Sequence, residues 1–316
     1  MDTTSFSVFG DNYEDRYLSV NNESLATPEV NYGHSKAHRP DLKQVVLNMA
    51  TTGAACFPIW MESHSGNVSD QKVIPESFQR VETFIKSIHD DAKFLYVADS
   101  ATYSNCLKHN ADIIWLSQVP ERIKACSELL SLSRDSFIWN EHDNGYKSCC
   151  VGIKHEGVNQ YWLLVFSQQA YDRELKTFEK KLSKLDKSLK KEAWHLSCQK
   201  YACKEDAEKT VNDLAKKLKY HTVDFNINET QHYNNQGRPK KAQEPELVKY
   251  QVEVTVKRDQ ESINQQIMHK GRFVLATNDI KSQRLAPNEM LSNYKKQSGT
   301  ESGFAFMKNK DFQVSS

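Results

Sequence analysis

The chain has 316 residues, enough for one large domain or two. Its 42 lysines and arginines face 41 acids, leaving a formal charge of +1, so any attraction to a polyanion must come from local basic stretches. No apolar run reaches the length of a membrane span, and the polar start from Met1 to Gly10 lacks a secretory pattern.

The first fifth reads as strands. Thr4 to Phe9 alternates polar and apolar residues, the period of a half-buried strand. Leu42 to Met49 and Ala54 to Met61 are apolar runs joined by Thr51-Thr52-Gly53, which predicts a hairpin. After a polar loop, Phe78, Val81, Ile85 and Ile88 mark one face of a helix over Pro75 to Ile88. The run Phe94 to Ala98 stops at Asp99 and reads as a strand buried on both faces. A helix near Tyr103 to Lys108 and a second buried run, Ile113 to Leu116, follow. Three antiparallel strands followed by β-α-β-α predict a mixed sheet flanked by helices, over residues 1–132.

The character changes over residues 133–270. Two strand-like segments, Cys149 to Ile153 and Tyr161 to Phe166, precede a charged helix in which Leu175, Phe178, Leu182, Leu185 and Leu189 form a coiled-coil seam. Val211, Leu214 and Leu218 repeat the spacing, predicting an antiparallel helical hairpin. Two β-type runs, Thr222 to Ile227 and Tyr250 to Val256, flank a polar loop, so the region is read as an α+β insertion. Residues 271–316 return to the core with the buried run Phe273 to Ala276 and a helix from Pro287 to near Asn309. The seven cysteines include no C-x-x-C pair and are read as reduced thiols of a cytoplasmic protein.

Three acids stand out by position. Asp2 opens a strand, Asp99 ends a buried one, and Glu301 lies on the last helix. Two strand-end carboxylates and a helix carboxylate supply the hard oxygen ligands that a pair of divalent cations needs for phosphodiester chemistry. On the last helix Tyr294, Glu301 and Lys308 are seven apart, near one stripe, with Gln297 on the same side.

The pattern Tyr294-x2-Gln297-x3-Glu301-x6-Lys308 resembles the Y-x2-R-x3-E-x6-K signature of DDE transposases from bacterial insertion sequences. Asp2 to Phe6, Gly33 to Gln44, Gly66 to Asp70 and Val97-Ala98-Asp99 resemble further segments of that group, in the same order along the chain. The resemblance implies a ribonuclease-H-like fold interrupted by an insertion between the second aspartate and the glutamate. It implies that Asp2, Asp99 and Glu301 are catalytic and hold Mg²⁺ or Mn²⁺. Water would first cut DNA at the element's end, and the freed 3′-hydroxyl would then attack target DNA. Tyr294, Gln297 and Lys308 are expected at the DNA phosphates, although the family's arginine is Gln297 here. The expected partners are double-stranded element ends and target DNA, handled by a homodimer, with no membrane and no nucleotide cofactor. The family places an apolar strand before its first aspartate, so the expectation here is an N-terminally truncated transposase.

Lys36, His38, Arg39 and Lys43 gather just before a strand and are candidate DNA contacts. Arg238, within Gly237-Arg238-Pro239, has a form that fits a narrow minor groove, and the same polar loop reads equally as a flexible linker, the commoner use of such a segment. Two other readings compete: a ribonuclease-H-like nuclease that cuts without joining, and a non-catalytic DNA-binding remnant of a transposase.

Overall fold

The computed structural model describes residues 1–10, 17–20, 23–36, 38–53, 55–89, 94–103, 113–232, 247–280, 285–309 and 311. The chain is mixed α/β and divides into two compact units. The first comprises Met1–Leu129, Phe137–Phe166 and Phe273–Ser316; the second comprises Leu130–Ser136 and Ser167–Arg272.

The first unit begins with β1 (Asp2–Val8), a small antiparallel pair β2 (Tyr17–Val20) and β3 (Glu23–Ala26), then β4 (Lys43–Thr51) and β5 (Pro58–Ser65). Strands β1, β4 and β5 form an antiparallel sheet in which Asp2 lies opposite Met49 and Val8 opposite Lys43. The predicted hairpin is present, with its second strand beginning at Pro58 rather than Ala54. Helix α1 (Asp70–Ile88) starts five residues before the predicted Pro75, the Lys72 and Val73 N–H groups of its first turn donating to the Ser69 carbonyl. The Phe78 ring of α1 meets Tyr96 edge-on at 4.6 Å, which seats the helix on β6 (Leu95–Ala98).

Strands β6 and β7 (Ile114–Gln118) pair in parallel, as the two buried runs predict. The helix predicted near Tyr103 to Lys108 falls largely outside the described residues, which show a short 3₁₀ turn at Ser100–Thr102. After α2 (Lys124–Ser131) come β8 (Asn140–His142), β9 (Tyr146–His155) and β10 (Val158–Ser167). Glu156 and Gly157, with φ of 47° and 82°, make the two-residue turn between β9 and β10. With β13 (Arg272–Thr277), these strands form a six-stranded sheet in the order β6-β7-β13-β10-β9-β8.

That sheet corrects the domain boundary expected at 133. Trp162 to Val165 are all fully buried, because β10 is an interior strand whose two faces are both covered. One face packs Leu163 and Val165 with Leu116 and Leu275 against Met290 and Leu291 of α6 (Pro287–Lys295). At roughly 1.5–3 kcal/mol per buried aliphatic side chain, that layer contributes more than any polar contact in the unit. Residues 137–166 therefore belong to the core, and the excursion into the second unit starts at Ser167.

The second unit holds α3 (Gln168–Cys198), α4 (Lys204–Ala215), β11 (His221–His232), β12 (Leu247–Arg258) and α5 (Gln260–Met268). The expected helical hairpin is covered mostly by other elements. Leu196 near the end of α3 packs with Ala207 and Val211 of α4, and the rest of the two apolar faces meets residues outside the helix pair. Phe178 and Leu182 pack with Tyr220 and Ile263; Ala207 and Val211 pack with Val252. A long two-stranded ribbon is unstable without such cover. The six described cysteines are all free thiols.

Candidate functional site

Asp2 opens β1 because the strand pairs with β4 from its first residues, and Thr3, Thr4 and Ser5 behind it are buried. The Met1 nitrogen donates to the Val97 carbonyl at 2.9 Å, so β1 starts beside β6. Asp99 follows the last residue of β6 and caps the 3₁₀ turn, its Oδ1 accepting from Ala101 N–H at 2.9 Å. The Ser117 hydroxyl donates to the Asp99 carbonyl at 2.7 Å, fixing that corner to β7. Glu301 lies on α7 (Ser298–Met307) and is exposed.

The fields of these three carboxylates overlap. Burial raises the Asp2 carboxyl above its ordinary range, and the Asp99 charge adds to the rise against the pull of Lys36 and the Thr3 N–H. The Tyr294 phenol is pushed up to about 12, first by burial and then by Asp99, Glu301 and Asp2 in turn. All three acids thus act on one hydroxyl. They do not touch: among the described residues, no three His, Cys, Asp or Glu side chains are drawn together closely enough to hold a metal ion. Like charges repel, and Asp2 and Asp99 each turn to a backbone N–H of their own segment.

Tyr294 donates to Gln118 Oε1 at 2.8 Å and leans on Phe273, which holds the phenol between α6 and the ends of β7 and β13. The single helix predicted from Pro287 to Asn309 is two helices. Between α6 and α7 the chain stays helical but tightens, with Gln297 N–H donating to Tyr294 O and Thr300 N–H to Gln297 O. A Ser298-Gly299 pair follows the tight turn, the composition at which helices bend. Gly299 leaves room for the Cys56 thiol, since a Cβ there would lie 2.0 Å from Cys56 Sγ and the thiol would have to turn aside. The tightening turns Gln297 inward. It is 9% exposed, its Oε1 has no partner among the described residues, and it lines a cavity of about 580 Å³ with Met1, Val97, Phe78 and Val81. It is placed toward the core.

The basic residues separate by partner. Lys36 Nζ donates to Thr3 O at 2.6 Å and to Thr3 Oγ1 at 2.8 Å, beside Asp2. Lys308 ends α7 over the Phe6 ring, at 5.5 Å, and its pKa is lowered by burial and then by Lys36, while Asp2 opposes the shift. Tyr294, Lys36 and Lys308 are therefore grouped with the acids. Arg39 is exposed and forks onto Asp41 at 2.7 and 2.9 Å, which occupies its guanidinium. His38 is exposed with φ of 57°, and Lys43 is the half-buried first residue of β4. Arg238 lies outside the described residues.

The segments Gly33 to Gln44 and Gly66 to Asp70 have a structural role that spacing does not reveal. Gln44, 1% exposed, donates to Gly66 O at 2.8 Å, and its backbone exchanges two hydrogen bonds with Asn31. Gly33 and Gly66 meet face to face: a Cβ on Gly33 would sit 1.9 Å from Gly66 O, and one on Gly66 would sit 1.9 Å from Gln44 O. This lock holds the loop that carries Lys36 to β1.

Glu62, which no motif or spacing singles out, accepts from Arg80 Nε at 2.6 Å and Ser77 Oγ at 2.5 Å, with His64 at 3.2 Å. Burial alone would raise its carboxyl, but Arg80 and Ser77 hold it down at about 2. A β5 residue bonded to α1 at a separation of 18 residues leaves no local signal. Scans of the chain against family models, curated proteins and solved structures give no match.

Proposed function

We propose that the chain is a metal-dependent DNA strand transferase of the DDE transposase type, with a ribonuclease-H-like core formed by β1 and β4 to β7. The carrying observation is that Asp2, Asp99 and Glu301, drawn from two strand ends and a C-terminal helix, all act on the Tyr294 hydroxyl. Three antiparallel strands followed by a parallel β6–β7 pair, with Met1 beside Val97, support the core assignment.

The donor chemistry fits Mg²⁺ or Mn²⁺: three carboxylates are hard oxygen ligands, with no thiolate or imidazole among them. When bound, such ions activate a water and stabilise a leaving 3′-oxygen. The chain's own residues do the positioning. Tyr294 stays protonated far above neutral pH, and its one proton, given to Gln118 Oε1 in the free protein, would pass to a phosphate oxygen only in exchange for that partner. Lys36 and Lys308 place two ammonium groups near Asp2, where they can hold the flanking phosphates. The reaction so served is cutting of a phosphodiester followed by attack of the freed 3′-hydroxyl on a second duplex.

A non-catalytic DNA-binding protein is the second reading, favoured by the Lys36 ammonium, which is already seated on Thr3 beside Asp2. Supercoiled-plasmid nicking and oligonucleotide joining with Mg²⁺, run on the wild type and on Asp99→Asn, separate the two. We expect cutting and joining by the wild type and at least a roughly thousandfold loss in Asp99→Asn, with DNA affinity retained. Equal, metal-independent behaviour of both proteins rules out the strand-transferase reading.

A further inference from the structure

Helix α3 carries a single-sign stripe that the site above does not use. Arg173, Lys176, Lys180, Lys184, Lys187 and Lys191 step by three and four residues, so all six fall within an arc of about 80° at 3.6 residues per turn. The buried residues of the helix, Phe178, Leu182, Leu189 and Ala193, lie on the opposite side, so the stripe points straight out and every member is exposed. The acids are kept off it. Glu179 and Asp186 are both bound by Arg258, and Glu174 faces Lys270. Among the described residues, none of the six cations is in an ion pair.

Ordinary exposed helices mix both signs, and like charges four apart, as at Lys176/Lys180, Lys180/Lys184 and Lys187/Lys191, weaken a helix. This helix bears that repulsion in a chain whose overall charge is only +1. From Arg173 to Lys191 the stripe runs about 27 Å at 1.5 Å per residue, close to eight base pairs of duplex at 3.4 Å each. Trp194, 62% exposed, stands at its far end. A straight, evenly spaced cation row matches a linear polyanion, and the exposed Trp194 lies at its end and not along its length, so the row lacks the apolar centre that a folded protein partner needs.

We propose that this face of α3 is a duplex-DNA backbone docking surface, which holds DNA by its phosphates without reading sequence. It deepens the strand-transferase reading and rests on it for the choice of DNA. The test is fluorescence anisotropy of a labelled 30-base-pair duplex with the full chain, in EDTA, over a series of NaCl concentrations. One variant carries K176Q, K180Q, K184Q and K187Q; a charge-matched control carries K204Q, K209Q, K216Q and K217Q on or just after α4. Relieving lysine repulsion favours the helix, so the stripe variant should melt no lower than the wild type.

We expect the stripe variant to lose about three to four units of log–log salt slope and more than about tenfold in affinity at 0.1 M salt, with the control close to wild type. An unchanged slope, an equal loss in the control, or tighter binding to single-stranded RNA than to the duplex would overturn the proposal. Asp99→Asn separates it from the reading beneath it. Full, stripe-dependent binding by that variant supports the surface whatever the fate of catalysis. Wild-type cutting with a stripe-independent salt slope overturns the surface and leaves the enzyme.

Discussion

Replacing Gly66 with alanine tests whether the loop carrying Lys36 is held by close backbone packing. The new Cβ would lie 1.9 Å from Gln44 O and 2.4 Å from Asn31 O, both backbone atoms, so the chain must move by more than an ångström. Those carbonyls accept the Asn31 and Gln44 N–H groups at 3.2 and 2.9 Å, and Gly66 itself accepts from Gln44 Nε2 at 2.8 Å. Losing two backbone bonds at about 1 kcal/mol each, and leaving a buried amide short of a partner at about 1–3 kcal/mol, costs about 3–5 kcal/mol together. For a unit of this size the melting temperature should fall by roughly 10 °C. Differential scanning calorimetry of Gly66→Ala beside Gly53→Ala makes the comparison clean, since a Cβ at Gly53 meets nothing within 4 Å. If the two variants melt together, the lock does not hold the loop.

Asp2→Asn should raise stability at pH 8 while abolishing cutting. The folded carboxyl titrates above its unfolded value, so ionised Asp2 costs stability once the pH exceeds the unfolded pKa, and the cost vanishes in acid. Melts at pH 8 and pH 3 check the sign, and a variant less stable at both would refute it. Tyr294→Phe should slow cutting by roughly ten- to a hundredfold and cost about 1 kcal/mol, without altering the pH–rate profile below pH 10, because the phenol does not ionise there. Glu62→Gln should lower stability at neutral pH by about 1 kcal/mol after allowance for solvent screening. Its depressed carboxyl stabilises the fold above the unfolded pKa, and that gain fades as the pH falls toward 2, so wild type and variant should converge in acid.

Local patterns carried much of the core. The continuous runs at Leu95 and Ile114 announced a parallel strand pair, but only β7 is buried on both faces, since β6 is the edge of the sheet and half-buried; Pro287 marked a helix start whose Ala286 N–H is capped by Glu289 at 3.0 Å. Long-range partners were not legible. The seam from Leu175 to Leu189 says that something apolar covers it, and nothing in a three-four spacing distinguishes a second helix from a ribbon and Tyr220. The strand character of Tyr161 to Phe166 was readable; its place between β9 and β13 was not, because that pairing joins residues more than a hundred apart. Spacing and resemblance single out Asp2, Asp99, Tyr294, Glu301 and Lys308, the residues on which the proposed site rests. Gln297 turned inward because of a tightened turn that residue spacing on an ideal helix cannot express. Arg39 was readable as a cation but not as one already claimed by Asp41 two residues on.

The chain leaves β10 through Ser167 and comes back to β13 through Gly271, and these two residues are hydrogen-bonded neighbours at 2.8 Å. A detour of about a hundred residues therefore begins and ends at one spot on the sheet border. Such geometry makes the length of the excursion nearly invisible to the strands that bracket it, because loop closure is already satisfied at its base. Growth, shrinkage or exchange of this module can proceed while β10 and β13 keep their places in the sheet.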